Sequence, residues 1–273
     1  MERLSEMNVA IFGIYHAPTE LFAKSEVFVP LMVGAVEHHS FLSDWMLPDN
    51  ISDRQSFAEL RGHYFVWKNC LNNLDFVGFH HYRRALLFED ILFGSKAFMY
   101  PVETGMPFFD VTNEQLRTYF DLLQTLSKGE ITDYAKQFDI IVPNPYKVES
   151  LKYQYDQVHR IEDWNVLVEI LAKRGWEIPD KIPLYGLHMF LMPKALFRDF
   201  MAEWWEVMSE LWAKLDIPTS GYQRRAIAFL SERFFSFWLN RQKGMKIKEL
   251  PWVEGPKIAG EASDSPLPDA LVA

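Results

Sequence analysis

Two histidines, a tyrosine and two arginines stand in a row at His80-His81-Tyr82-Arg83-Arg84, directly after the apolar segment 74–79. Arginine offers a rigid fork of donors that matches phosphate oxygens in pairs. Histidine donates to a phosphate, or moves a proton near neutral pH. Together the five side chains suit a diphosphate and its leaving group. His16 follows the first apolar run, and Lys68 and Asn69 end the helical segment ahead of the row. These three are expected to join Tyr82, Arg83 and Arg84 in holding a phosphate-bearing donor. His81 is the expected acid or base, with Glu232 and Asp216 as candidate catalytic carboxylates. Gln154, Tyr155, His159, His188 and Arg225 are expected to form a second wall, on the acceptor side. Plainer roles compete: arginines paired with surface carboxylates, His188 bonded within the core, and Arg225, Glu232 and Arg233 as an ion-pair lattice.

The elements that must position these groups read as α/β. Residues 9–15, 74–79 and 138–143 are short apolar runs of the kind that form buried parallel strands, and 27–33 is a weaker one interrupted by Pro30. Apolar side chains recur at helical spacing over 57–72, 113–126, 163–174, 194–215 and 222–240. Residues 187–192 read as a further strand, and 85–112 as irregular chain broken by Gly94, Pro101, Gly105 and Pro107. The result is a mixed, mainly parallel sheet flanked by helices, with a helical C-terminal part. It is one domain over 1–253, with a sugar-nucleotide half over about 1–145 and an acceptor half over 146–253. A flexible tail is expected over 254–273, which is rich in Gly, Ala, Ser, Asp and Pro. Open α/β sheets bind ligands beyond the carboxyl ends of their strands, which is where the row at 80–84 would fall. If the strand simply continues, His81 and Arg83 share one face and Tyr82 and Arg84 the other. One arginine is then structural, with Glu59 or Glu232 as its expected partner.

Composition narrows the function. Acidic residues number 37 against 28 basic, a net charge of -9, which argues against a nucleic-acid binder. The single cysteine, Cys70, permits neither an internal disulfide nor a cysteine zinc site and fits a reducing cytoplasm. No apolar run reaches the roughly 18 residues of a membrane span. The aromatic set Trp204, Trp205, Trp212, Phe234, Phe235, Phe237 and Trp238 is expected to pack between two helices, with peripheral contact at the inner membrane face as the other reading. The chain has no G-x-x-x-x-G-K, no G-x-G-x-x-G, no H-E-x-x-H and no G-x-S-x-G. It also has no Asp-x-Asp, the pair by which many sugar-nucleotide transferases hold a divalent metal. No metal ligand is therefore assigned, and positive side chains are expected to take the metal's place on the diphosphate.

The order Asn50-Ile51-Ser52, Glu59-Leu60, Tyr64, Trp67-Lys68-Asn69, Gly78 and His81-Tyr82-Arg83-Arg84 resembles a bacterial family of capsular, exopolysaccharide and lipopolysaccharide synthesis clusters. That family has long been carried as a domain of unknown function, and its members look like glycosyltransferases. Val33-Gly34-Ala35, Gln154-Tyr155 with His159, and Phe229-Leu230-Ser231-Glu232-Arg233 with Arg225 extend the resemblance over roughly residues 9–240. His188, Ala228 and the residue after His16 depart from the pattern. The resemblance implies a GT-A-like fold and transfer from a nucleoside diphosphate-sugar to a glycan or lipid-linked glycan. A non-catalytic sugar-nucleotide or glycan-binding module and a phosphate-ester hydrolase are the competing functions.

Overall fold

The computed structural model describes residues 8–34, 36–92 and 108–257. Ala35, most of the segment read as irregular (93–107) and most of the expected tail (258–273) lie outside the described residues.

The chain opens with β1 (Val9–Tyr15), whose seven side chains are all buried, and β2 (Phe28–Met32), with β3 (Leu42–Ser43) beside it. A 3₁₀ turn, Gln55–Phe57, precedes α1 (Leu60–Asn69). The helix expected over 57–72 starts late because Ala58 takes a positive φ of 46°, which no helix accommodates. Then come β4 (Phe76–His81), β5 (Arg84–Leu86), α2 (Glu89–Leu92) and β6 (Phe108–Asp110). Next are α3 (Asn113–Leu123), α4 (Lys128–Ala135), β7 (Ile140–Pro143), α5 (Leu151–Val158) and α6 (Ile161–Lys173). The chain continues with β8 (Phe190–Pro193), α7 (Lys194–Lys214), a 3₁₀ turn at Tyr222–Arg225, α8 (Ala226–Arg241), β9 (Ile247–Leu250) and β10 (Trp252–Glu254).

Strands β3, β2, β1 and β4 lie side by side and all parallel. Beyond β4 the sheet forks. Its first four residues pair antiparallel with β8, which leads on to β7 and β9. Its last residue, His81, pairs with Arg84 of β5, which leads on to β10 and β6. The mixed, mainly parallel sheet flanked by helices is as expected. The short strands β5, β6, β9 and β10 and the helices α4 and α5 carry too little periodicity to be read from sequence, although capping boxes at Thr112/Gln115 and Ser127/Glu130 mark the starts of α3 and α4.

One face of the sheet packs against α1 and α5 to α8, the other against α3 and α4. Gly62 lets α1 lie close on the sheet, because a Cβ there would come within 2.5 Å of Ile14 Cδ1. Helices α7 and α8 pack together through contacts such as Phe200 on Trp238, with ring centres 4.9 Å apart, and Trp204 Nε1 donating to Ser231 Oγ at 2.7 Å. Trp204, Phe234, Phe235, Phe237 and Trp238 are buried, Trp205 is half-buried, and only Trp212 is exposed, with Arg54 over its ring. The aromatic set is therefore core, which removes the basis for reading it as a lipid surface. Among the described residues no helix is long and apolar enough to cross a membrane.

Candidate functional site

The row at 80–84 does not lie beyond the strand, as the sequence suggested, but forms its end and a tight hairpin. His80 and His81 are the last residues of β4 and are buried. His80 points to the opposite face, among Phe28 and Phe120, and is accommodated by Gly13, where a Cβ would meet its ring at 2.6 Å. Tyr82 and Arg83 make the turn, and Arg84 pairs back across to His81. A two-residue turn reverses the strand's parity, so His81 and Arg84 share a face, contrary to simple alternation.

Both arginines reach one carboxylate. Arg83 Nη1 lies 2.5 Å and Arg84 Nη2 2.8 Å from Glu254 Oε1. Arg83 also donates to the Gly255 carbonyl at 2.9 Å and to the Tyr82 hydroxyl at 2.9 Å. The partner is neither Glu59 nor Glu232. It is Glu254, which β10 places directly opposite Arg84 in antiparallel register. Burial works against its ionisation, but Arg84 and Arg83 more than offset that and hold the carboxyl below its ordinary range. Glu254 therefore belongs to the sheet and not to the tail expected over 254–273.

Beneath the hairpin two further imidazoles lie near His81. His63 of α1 stacks on Phe79 at 3.8 Å, and its Nε2 donates to the His188 carbonyl at 2.9 Å. His188 is fully buried. It and Leu187 both take positive φ, 49° and 72°, so β8 starts at Phe190 rather than at 187 as expected. Glu232 of α8 holds this strained turn: its Oε1 accepts the Leu187 N–H at 3.1 Å, and its Oε2 accepts Arg233 Nη1 at 2.8 Å. Arg233, buried, also donates to the Phe229 carbonyl and to Gln154 Oε1, and lies over the Tyr155 ring. Glu59, just before α1, faces the same space. Burial and the nearby Glu232 raise its carboxyl above the ordinary range, against the pull of Arg225 and Arg84.

Burial lowers His63, His81 and His188, and likewise His159 at the C-terminal end of α5. It takes His63 to about 4 and His159 to about 2, the latter helped by Arg233. His81 and His188 fall well below 6.5, burial first, then Arg84 for His81 and His63 for His188. His81 is thus a neutral hydrogen-bonding group at neutral pH, not a ready acid. A pH dependence of stability follows. These four and His80, taken to about 4 by burial, stay neutral in the fold while the unfolded chain protonates near 6.5. Their stabilisation is complete above 6.5 and is lost as pH falls towards 4, at up to about 1.4 kcal/mol per pH unit for each ring. Asp44, raised to about 6 by burial, acts in the opposite sense, as do Glu59 and Asp163. Five rings outweigh three carboxyls over this window. The melting temperature is expected to fall steadily from pH 7 to pH 5 in a calorimetric series, and a flat or rising trend would overturn this balance.

The remaining expected residues divide. His16 is exposed after β1, edge-on to the Tyr82 ring at 4.7 Å, so these two meet at the top of the sheet. Gln154, Tyr155, His159, His188 and Arg225 cluster around Arg233 and Glu232 as a wall. Lys68 and Asn69 are not there. They end α1, whose start carries Glu59, and nine or ten residues of helix put them roughly 14 Å away along the axis. Lys68 lies over the Trp67 ring, and Asn69 donates to the Asp49 carbonyl. Asp216 is exposed after α7, its backbone carbonyl taken by Arg160, which also pairs with Asp163. Glu59, His63, Tyr146, Tyr222 and Glu254 belong to the cluster but carried no site assignment. Glu59, within the Glu-Leu pattern, and Tyr222, close to Arg225, were within reach of sequence reasoning; His63, Tyr146 and Glu254 gave no sign of it. Among the described residues no group of three His, Cys, Asp or Glu is arranged to hold a metal ion.

Arginines, imidazoles and carboxylates gather at the carboxyl ends of β1 and β4, the side on which open α/β sheets carry their ligand crevices. The chain belongs to the family described as a domain of unknown function, DUF4422, whose model matches residues 10–243. Among solved structures it is similar to a bifunctional glycosyltransferase, WbbM, in its apo form, with a TM-score of 0.74 and 23% identity. The match covers 92% of this chain and 46% of that one, so this chain spans under half of that protein's length. At that identity the likeness establishes the fold, which is GT-A-like. A search of the curated proteins gives no match.

Proposed function

We propose that the protein is a glycosyltransferase that moves a sugar from a nucleoside diphosphate-sugar to a glycan or lipid-linked acceptor in surface polysaccharide synthesis. The fold it shares with part of a bifunctional glycosyltransferase supports this. The observation that carries it is a concentration of unpartnered polar atoms. Thirteen buried side-chain nitrogens and oxygens among the described residues have no hydrogen-bond partner. Six of them gather here: His81 Nε2, Arg84 Nε, both ring nitrogens of His188, Arg233 Nε and the Tyr155 hydroxyl. Each such atom costs about 1–3 kcal/mol when left unpaired, so the grouping suits a polar ligand that pairs them.

In this reading Arg84 holds the diphosphate, with His16 and Tyr82 at its upper edge. Arg83 is structural, because Glu254, Gly255 and Tyr82 take its donors. Glu232 accepts the proton of the acceptor hydroxyl. That oxygen bonds to the anomeric carbon, the bond from carbon to phosphate oxygen breaks, and the diphosphate leaves with the electron pair against Arg84. The ring-rich mouth beside β1 and β2, where His38 lies 4.0 Å from Phe41 and stacks on His39 at 4.8 Å, suits the nucleobase. A hydrolase run by His81 is disfavoured by that ring's burial and neutrality.

Arg84→Ala is expected to weaken binding of a nucleoside diphosphate by about 1.5–3 kcal/mol, the range for a hydrogen bond to a charged group. Titration calorimetry with UDP and GDP measures it, and transfer should persist in excess chelator. Nucleotide that binds wild type and Arg84→Ala equally, or activity that chelator abolishes and manganese restores, would remove Arg84 from this role. Nucleotide that binds without turnover on any acceptor would favour the non-catalytic module.

A further inference from the structure

Arg225 ends the 3₁₀ turn that leads into α8, and its guanidinium is held by ring faces rather than by a carboxylate. Its centre lies 5.1 Å from the Tyr222 ring centre and 5.2 Å from that of Phe229. Those two rings stack at 4.6 Å, and His159 stacks on Phe229 at 4.1 Å and nearly coplanar with Tyr222 at 5.5 Å. Arg83, Arg84 and Arg233 each contact a carboxylate, whereas Arg225 makes no ion pair among the described residues. An arginine fixed by stacking keeps its fork of N–H donors while having little conformational freedom left to lose on binding.

The surroundings fit a sugar. Tyr222 is half-buried, and a tyrosine combines an aromatic face with a hydroxyl. The Tyr155 hydroxyl, in a side chain with no exposure, lacks a partner, and its ring lies beside the Arg233 guanidinium and the His159 ring. Phe229, on which Tyr222 and His159 stack, gives its carbonyl to Arg233, whose Nη1 also reaches Glu232, so this block and Glu232 are joined through one arginine.

Building on the transferase reading, we propose that Tyr222 and Arg225 form the acceptor subsite and that it takes an acidic sugar. The apolar C–H face of the sugar ring lies on Tyr222. An anionic substituent, carboxylate or phosphate, sits in the Arg225 fork. A hydroxyl of the same sugar is then presented to Glu232.

The probes are glucose, glucuronate and glucose 6-phosphate, with binding followed by saturation-transfer NMR and UDP binding measured separately by calorimetry. At least one acidic sugar should bind roughly tenfold or more tightly than glucose, and the better of the two identifies carboxylate or phosphate as the substituent. Arg225→Ala should reduce it to the level of glucose, Arg225→Lys should recover little of the difference, and both should keep UDP affinity within about twofold. Tyr222→Ala should weaken all three sugars together, with melting temperature as the control for folding. Equal binding of glucose and both acidic sugars to wild type overturns the proposal. So does an Arg225→Ala protein that loses UDP as Arg84→Ala does, since that would assign Arg225 to the donor. Should wild type bind no nucleotide yet prefer an acidic sugar through Arg225, the transferase reading fails and the acidic-sugar subsite stands.

Discussion

A Glu232→Gln protein is expected to transfer sugar about 100- to 10,000-fold more slowly than wild type, the span attributed to a positioned general base. The carboxylate is fixed from two sides, by the Leu187 N–H and by Arg233 Nη1, and its side chain remains 21% exposed. Glutamine keeps the size and can still accept from Leu187, so the change removes the charge and the proton-accepting capacity while leaving the turn its anchor. Arg233 retains Gln154 and the Phe229 carbonyl, which limits the loss of stability. The loss should therefore fall on kcat, with UDP affinity nearly unchanged and only a modest drop in melting temperature. Initial rates of nucleoside diphosphate release in the presence of acceptor give the comparison. A variant retaining more than a tenth of the wild-type rate would take the proton transfer away from Glu232 and point to Glu59, the carboxylate at the site that no arginine pairs among the described residues.

The second large effect is on folding. Arg83→Ala is expected to destabilise the protein by about 3 kcal/mol, near the lower end for breaking a buried ion pair, because Arg84 still neutralises Glu254. For a chain of this size that corresponds to a fall of roughly 6–12 °C in melting temperature. Arg83 is buried and makes three hydrogen bonds that tie the hairpin turn to β10 and to Gly255. Its loss would loosen the closure of the sheet at this edge. Reading the row as a cleft lining, the sequence led to the opposite expectation, weakened donor binding with the fold intact. Calorimetric melting and UDP titration of the same variant separate the two. A melting temperature within a degree or two of wild type, combined with lost UDP affinity, would restore Arg83 to the ligand.

Much of the architecture is local in origin and was therefore legible. The continuous apolar run of β1 and the helical spacing of Phe197, Met201, Trp204, Met208 and Leu211 in α7 follow from near-neighbour patterns that a single sequence displays. So does the placing of a polar, cationic row at the carboxyl end of a buried strand. What the sequence could not decide were relations between distant segments. Glu254 stands 170 residues from Arg84 and at the edge of a stretch with the composition of a tail, yet β10 pairs with β5 and sets it opposite the arginine. Lys68 and Arg84 are close in sequence but at opposite ends of the sheet, because a helix preceding a parallel strand must run antiparallel to it. The face occupied by Arg84 was decided by a two-residue turn, which cancels the alternation that a continuing strand would have imposed. Periodicity records which way a side chain points within its own element. Strand pairing and turn geometry, settled only when the whole sheet closes, determine which charges meet.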